Sequence, residues 1–112
     1  MNNEQNNKDQ HYLELEGEIV SVLKYIYDPE IPVNIYDLGL IYNIEVDDQK
    51  KVHIRMTLTA PNCPIADQIV MKVEDQIKNI DGVSDAEVEL VFDPPWHQDM
   101  MSDEAKLELG LM

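Results

Sequence analysis

Val52-His53-Ile54-Arg55-Met56-Thr57-Leu58-Thr59 runs into Ala60-Pro61-Asn62-Cys63-Pro64, and beyond it Ile65, Ile69, Val70, Val73 and Ile77 recur at helical spacing. In the first part Val52, Ile54, Met56 and Leu58 alternate with His53, Arg55, Thr57 and Thr59, the period-two pattern of a strand with one face in a core. The period then lengthens to that of an amphipathic helix, so a strand hands over to a helix across Ala60–Pro64. Pro64 suits the first helical position, where its missing N–H would be unpaired anyway, and that places Cys63 at the N-cap. Upstream, Leu40, Tyr42, Ile44 and Val46 alternate with Ile41, Asn43 and Glu45. Asp47-Asp48-Gln49-Lys50 reads as the turn between the two runs, which makes them an antiparallel hairpin.

Further out, Leu15, Ile19, Val22, Leu23 and Ile26 predict a first helix of about three turns. It should stop near Tyr27-Asp28-Pro29, because a residue before proline disfavours the α region. Asp28 to Gly39 is a loop with two prolines and a glycine. After the second helix, Asp81-Gly82 is a stop. Ala86, Val88, Leu90 and Phe92 predict a further strand, broken at Asp93-Pro94-Pro95-Trp96-His97. Ser102 caps a last short helix over Ser102 to Leu109. The order α-β-β-α-β-α, without repeats, predicts an α+β fold with one sheet and helices on one face, a two-layer α/β sandwich. Residues 1–10 read as a disordered polar arm with too little apolar surface to order itself, and residues 11–112 as a single domain.

The chain carries 23 acidic against 8 basic residues, a net charge of −15. Such a field repels phosphate backbones and anionic lipid, so nucleic acid and membrane surfaces are poor partners, whereas basic proteins and metal cations are not. The single cysteine forms no intramolecular disulfide, and the Asn/Gln-rich start has no apolar core of a signal peptide. With no apolar run near the ~20 residues that span a bilayer, the expected location is the cytoplasm.

Cys63 is the first candidate functional residue. At an N-cap a thiol faces unpaired N–H groups and the positive end of the helix dipole, which favour the thiolate that binds metal or attacks electrophiles. The same residue can instead serve as a small packing group, and Asp67 adds opposing negative charge one turn on. No CxxC, HExxH or Cys/His cluster at zinc spacing is present, and the glycines are scattered rather than gathered in a phosphate loop. His11, His53 and His97 lie far apart, and His53 on the polar side of its strand reads as solvated. The six methionines show no Met-x-Met spacing and read as packing groups. Two stiff loops stand out: Asp28 to Gly39 with its carboxylates, and Asp93-Pro94-Pro95-Trp96 with the only tryptophan. Each either holds polar groups beside a site or punctuates the chain, its carboxylates capping backbone N–H groups.

Taken together, three segments resemble a known family. They are Asp28-Pro29-Glu30-Ile31-Pro32-Val33-Asn34-Ile35-Tyr36-Asp37-Leu38-Gly39-Leu40-Ile41-Tyr42, Thr57-Leu58-Thr59 through Cys63-Pro64, and Val88-Glu89-Leu90-Val91-Phe92-Asp93-Pro94-Pro95-Trp96. Ser102 to Gly110 resembles the usual ending. The chain is similar to the SufT-like metal–sulfur cluster assembly factors over about residues 12–110. The resemblance implies an iron–sulfur cluster assembly domain over 11–112 and an accessory, non-enzymatic role in iron–sulfur protein maturation. It implies Cys63 as the metal- or cluster-binding residue, with Asp28, Glu30, Asp37, Thr59, Asp93 and Trp96 shaping the site. The implied cofactor is iron or an iron–sulfur cluster held transiently, and the implied partners are the assembly machinery and apo-client proteins, with a homodimer compatible. Relatives of the phenylacetate-pathway branch carry extra C-terminal cysteines that this chain lacks, which favours the stand-alone branch. One thiolate does not complete the usual four ligands of a cluster, so the remainder come from a second subunit, a client or a small thiol. Two other readings stay open. One is an enzyme of sulfur or acyl transfer with Cys63 as nucleophile, for which His97 is the only histidine in a motif region. The other is a pure adaptor working through its acidic surface.

Overall fold

The computed structural model describes residues 3–59 and 66–111, with side chains from residue 13 onward; Cys63 and the expected Pro64 helix start lie outside the described residues. The elements are α1 (Asn3–Leu23), β1 (Ile41–Val46), β2 (Lys51–Met56), α2 (Ala66–Lys78), β3 (Asp85–Leu90), a 3-10 turn (Gln98–Met100) and α3 (Asp103–Glu108). This is the expected α-β-β-α-β-α order. β2 lies in the middle of a mixed three-stranded sheet, antiparallel to β1 and parallel to β3, with α2 as the crossover.

One face of the sheet is covered, and among the described residues no helix packs on the other. Val52, Ile54 and Met56 of β2 are buried against Leu15, Ile19 and Leu23 of α1 and Ile69, Val73 and Ile77 of α2. His53 and Arg55 point to the opposite, solvated face, as the alternation requires. Gly82 turns the chain after α2 at φ +94, and Ser102 Oγ accepts the Ala105 N–H at 3.1 Å to start α3.

Three boundaries differ from the sequence reading. α1 starts at Asn3, inside the stretch read as a polar arm. Asn, Gln, Glu and Lys cost a helix at most ~0.7 kcal/mol each, so a helix nucleated around Leu15, Ile19 and Leu23 propagates back through them. It also ends earlier than expected, at Leu23, because the Ile26 carbonyl accepts the Ile35 N–H at 2.8 Å and Tyr27 pairs with Asn34 in a short bridge. The third difference concerns Thr57, which the alternation assigned to the polar side. β2 ends at Met56, and Thr57 has no exposed surface.

Candidate functional site

The site is built at one end of the sheet. Ile41 pairs with Met56, and Met56 with Leu90, so the start of β1 and the ends of β2 and β3 lie side by side. Three stretches far apart in sequence therefore meet there: the 28–40 loop entering β1, Thr57–Thr59 leaving β2 and residues 91–97 leaving β3.

The 28–40 loop is a packed element rather than a surface excursion. Val33, Ile35, Leu38 and Leu40 are all buried, as is Ile26 just before the loop. Its turns are closed by its own polar side chains. Asp28 Oδ1 accepts the N–H groups of Glu30 at 2.8 Å and Ile31 at 2.9 Å. Asn34 Nδ2 donates to Asp37 Oδ2 at 2.8 Å while Asn34 Oδ1 accepts the Asp37 N–H, also at 2.8 Å. These local bonds are the Asx-type turns that Asn and Asp favour.

Specific struts join the three stretches. The Thr57 N–H donates to the Leu40 carbonyl and the Val91 N–H to the Met56 carbonyl, each at 2.8 Å. Trp96 Nε1 donates to the Leu38 carbonyl at 2.7 Å, and the Tyr42 hydroxyl to the Pro94 carbonyl at 2.8 Å. The Ser102 N–H reaches the Asp37 carbonyl at 2.8 Å. Beside it, Gly39 sits at φ +82 with the Met100 backbone packed against its α-carbon, where a side chain would have no room.

Between the struts lies a cavity of about 150 Å3, lined by Thr57, Leu58, Thr59, Phe92, Pro95 and Trp96. Burial pushes the Tyr42 phenol above its ordinary pKa, an effect that the adjacent Thr57 hydroxyl opposes. Thr57 Oγ1 nevertheless makes no hydrogen bond of acceptable geometry among the described residues, and the Tyr42 proton is already committed to Pro94.

Thr59 and Trp96 are brought together at this cavity, though Cys63 itself lies outside the described residues. Asp93 lines a neighbouring groove with Tyr42, Arg55 and Met100. Asp28 and Asp37 face their own turns, and Glu30 is exposed. His97 caps the 3-10 turn, its Nδ1 accepting the Asp99 N–H at 3.1 Å. Sequence reasoning overlooked Thr57 and the Tyr42 and Gly39 contacts. The only sequence signal for them was that Gly39, Tyr42 and Thr57 stand inside the matched segments, since Gly39 and Tyr42 acquire their roles from residues more than fifty positions away and Thr57 from the 28–40 and 91–97 stretches.

The opposite sheet face offers a different environment. A depression of about 500 Å3 is lined by Asn43, Glu45, His53, Arg55, Glu87 and Glu89 among others. His53 stands 3.7 Å from Asp47 and 3.5 Å from Glu87, and Arg55 3.4 Å from Glu89. These are exposed pairs of small energetic consequence. Among the described residues no three His, Cys, Asp or Glu side chains are arranged to hold a metal ion.

Residues 16–90 match the model of a family described as iron–sulfur cluster assembly protein. The chain belongs to that family. A protein of Porphyromonas gingivalis named Fe-S protein maturation auxiliary factor is 50% identical over the full length of both chains. The auxiliary factor YitW of Bacillus subtilis is 41% identical, over 87% of this chain and 95% of its own. A domain of unknown function from Bacillus anthracis superposes with a TM-score of 0.81 at 37% identity, covering 88% of this chain and 94% of that one. The family match ends at Leu90 and so excludes Trp96 and α3. Yet Trp96, Met100 and Ser102 close the end of the sheet on which the other two segments converge.

Proposed function

We propose that this protein is an accessory factor in iron–sulfur protein maturation, a carrier or targeting factor in which Cys63 is a transient ligand. The observation that carries the proposal is the meeting of the 28–40 loop, Thr57–Thr59 and residues 91–97 at one end of the sheet. In the sequence Cys63 follows Thr59 by four residues and precedes Ala66 by three. Family membership and relatives named as maturation auxiliary factors support the same role.

Iron or a cluster is then cargo rather than a resident group. Cys63 supplies one of the four thiolates or equivalents a cluster usually takes, and the described residues add no cluster of metal-binding side chains. The other ligands come from an apo-client, a second copy of this chain or a small thiol, and incomplete ligation by the carrier favours release to the client. Thr59, Asp93 and Trp96 shape the surroundings, while Asp28 and Asp37 hold the 28–40 loop in the form that meets them and Glu30 remains exposed for a partner.

The role is non-catalytic. His97, the motif histidine, is engaged in capping a turn and is largely exposed, which favours a structural part over that of a general base. The partners are the assembly machinery and apo-client proteins, and a net charge of −15 disfavours nucleic acid and anionic lipid. Among the described residues no helix is long and apolar enough to cross a membrane; we assign the protein to the cytoplasm.

The test is anaerobic reconstitution of wild type and Cys63→Ser with iron and sulfide, read by absorption and metal content. Iron and a sulfur-to-iron charge-transfer band in wild type alone support the ligand role. Colourless, iron-free protein in both overturns it.

A further inference from the structure

The chain just after α1 forms a short antiparallel ribbon with one side in the core. The Asp28 N–H donates to the Val33 carbonyl at 3.1 Å and the Ile35 N–H to the Ile26 carbonyl at 2.8 Å, with Tyr27 opposite Asn34. Ile26, Asp28, Val33 and Ile35 are buried, and the residues alternating with them face outward, as an extended strand requires. Those outward positions carry Tyr25, Tyr27 and Tyr36, which are 82%, 57% and 36% exposed. The same register, continued by two residues, sets Tyr36 across from Tyr25. Three of the five tyrosines of the chain are thus gathered on one surface. Polar side chains fill solvated strand positions equally well, so the fold by itself gives no reason for three rings here.

The chemistry of the rings selects a cation. The face of an aromatic ring is negative and attracts an ammonium or guanidinium group within about 6 Å of its centre. The protein makes one such contact itself, with Lys24 Nζ 5.5 Å from the centre of the Tyr36 ring. Tyr25 and Tyr27 are the more exposed pair, and among the described residues no cation stands over either. α1 ends at Leu23, immediately before them, with no basic residue in its last turn to meet the negative end of its dipole. The net charge of −15 draws basic segments and repels phosphate, which disfavours the stacking of nucleobases on the same rings. A guanidinium is more weakly hydrated than an ammonium and stacks flat on a ring, so arginine fits better than lysine. Tyr25 and Tyr27 are two residues apart, ~6.6 Å on an extended strand, which is also the spacing of alternate residues in an extended partner.

We infer that the surface of Tyr25, Tyr27 and Tyr36 docks a basic segment of a partner protein that presents arginines at alternate positions. Such a segment lays its guanidinium groups on the two open rings, and Lys24 occupies the third. The surface is independent of the chemistry of Cys63 and goes beyond the proposed carrier role, since it binds whether or not iron is held.

The test is a nuclear magnetic resonance titration of the iron-free protein with acetyl-Arg-Gly-Arg-amide at low ionic strength. The counterparts carry lysine, which keeps the charge, and citrulline, which keeps the shape of arginine without the charge. Ring currents shield the arginine side-chain protons when they stack on aromatic faces, and amide shifts of the protein locate the contact. A saturable upfield shift with the arginine peptide, weaker binding of the lysine peptide and no response to citrulline are the expected results. Tyr25→Leu and Tyr27→Leu should each weaken binding about two- to fivefold, and Tyr25→Phe and Tyr27→Phe should retain it. Lys24→Gln uncovers the Tyr36 ring and should strengthen binding about two- to fivefold over Lys72→Gln on α2, which changes the net charge equally.

An equal response to the citrulline peptide, or tighter binding of a proline hexapeptide, overturns the inference. So do amide shifts confined to other surfaces, and so does unchanged affinity in a Tyr25→Leu/Tyr27→Leu protein whose amide spectrum remains native. Iron uptake is read separately on wild type and Cys63→Ser. Absence of peptide binding with iron retained defeats this inference alone, and iron-free wild type that still binds the peptide defeats the proposed carrier role alone.

Discussion

Gly39→Ala tests whether the C-terminal segment is docked on the 28–40 loop as described, and Gly82→Ala provides its internal control. Both glycines have positive φ, +82 and +94, so alanine at either pays the left-handed penalty of ~1–2 kcal/mol. Their surroundings differ. Among the described residues nothing lies within 4 Å of an added Cβ at Gly82, whereas at Gly39 it would fall on the Met100 backbone, 2.8 Å from the carbonyl carbon. The obstacle is main chain and not a flexible side-chain tip, so the 98–102 segment must shift. That shift loosens the Ser102-to-Asp37 bond and the burial of Met101 and Ala105, which are 7% and 1% exposed. Overpacking of this kind adds ~1–3 kcal/mol, giving a total of about 2–5 kcal/mol for Gly39→Ala against about 1–2 for Gly82→Ala. Urea denaturation followed by far-ultraviolet circular dichroism measures both. A domain of this size loses roughly 4–8 °C per kcal/mol, so Gly39→Ala should melt about 4–24 °C below Gly82→Ala. Equal destabilisation by the two substitutions would refute the close approach of Met100 to Gly39, and with it the clamp that closes this end of the sheet.

Trp96→Phe keeps most of the apolar wall but leaves the Leu38 carbonyl without its 2.7 Å donor, and should cost about 1–3 kcal/mol in urea denaturation followed by circular dichroism. A change below a few tenths would show that this strut carries no weight. Ser102→Ala removes the oxygen that accepts the Ala105 N–H and should lower stability by ~0.5–2 kcal/mol, with Ser102→Asp retaining most of it. The Asp47 carboxyl is held below its usual pKa of 3.8, chiefly by the Lys51 N–H, with the Gln49 N–H and His53 adding to it. A depressed carboxyl stabilises the fold above the unfolded pKa and stops doing so as pH falls through the folded one. Asp47→Asn should therefore lower the urea midpoint at pH 7, with the gap to wild type closing as the pH falls through and below the usual carboxylate range; a gap that persists in strong acid would contradict the assignment.

Much of this protein is written in local periodicity. The Val52-to-Leu58 alternation placed Val52, Ile54 and Met56 in the core and His53 and Arg55 outside, because side chains of a strand alternate faces regardless of its neighbours. The spacing of Ile69, Val73 and Ile77 identified the buried stripe of α2 for the same reason at the helical period. Ser102 announced α3 through a cap that needs only three residues of context. The resemblance names Thr59, Asp93 and Trp96 as site-shaping residues together with Asp28, Glu30 and Asp37.

Tertiary structure alone decided how these pieces meet. Nothing local tells β3 to pair parallel to β2 with Met56 opposite Leu90, yet that register puts Thr59 and Trp96 at one cavity. Thr57 reads as an outward polar residue by alternation. It is buried because the strand ends one residue earlier and the 28–40 and 91–97 stretches close over that end. Gly39 must be glycine because of Met100, and the Tyr42 hydroxyl finds Pro94, each more than fifty residues away. A pattern of two or 3.6 residues reports which face of an element is buried. Which elements share an end depends on long-range pairing, whose energy is spread over the whole core and leaves no mark at any one position.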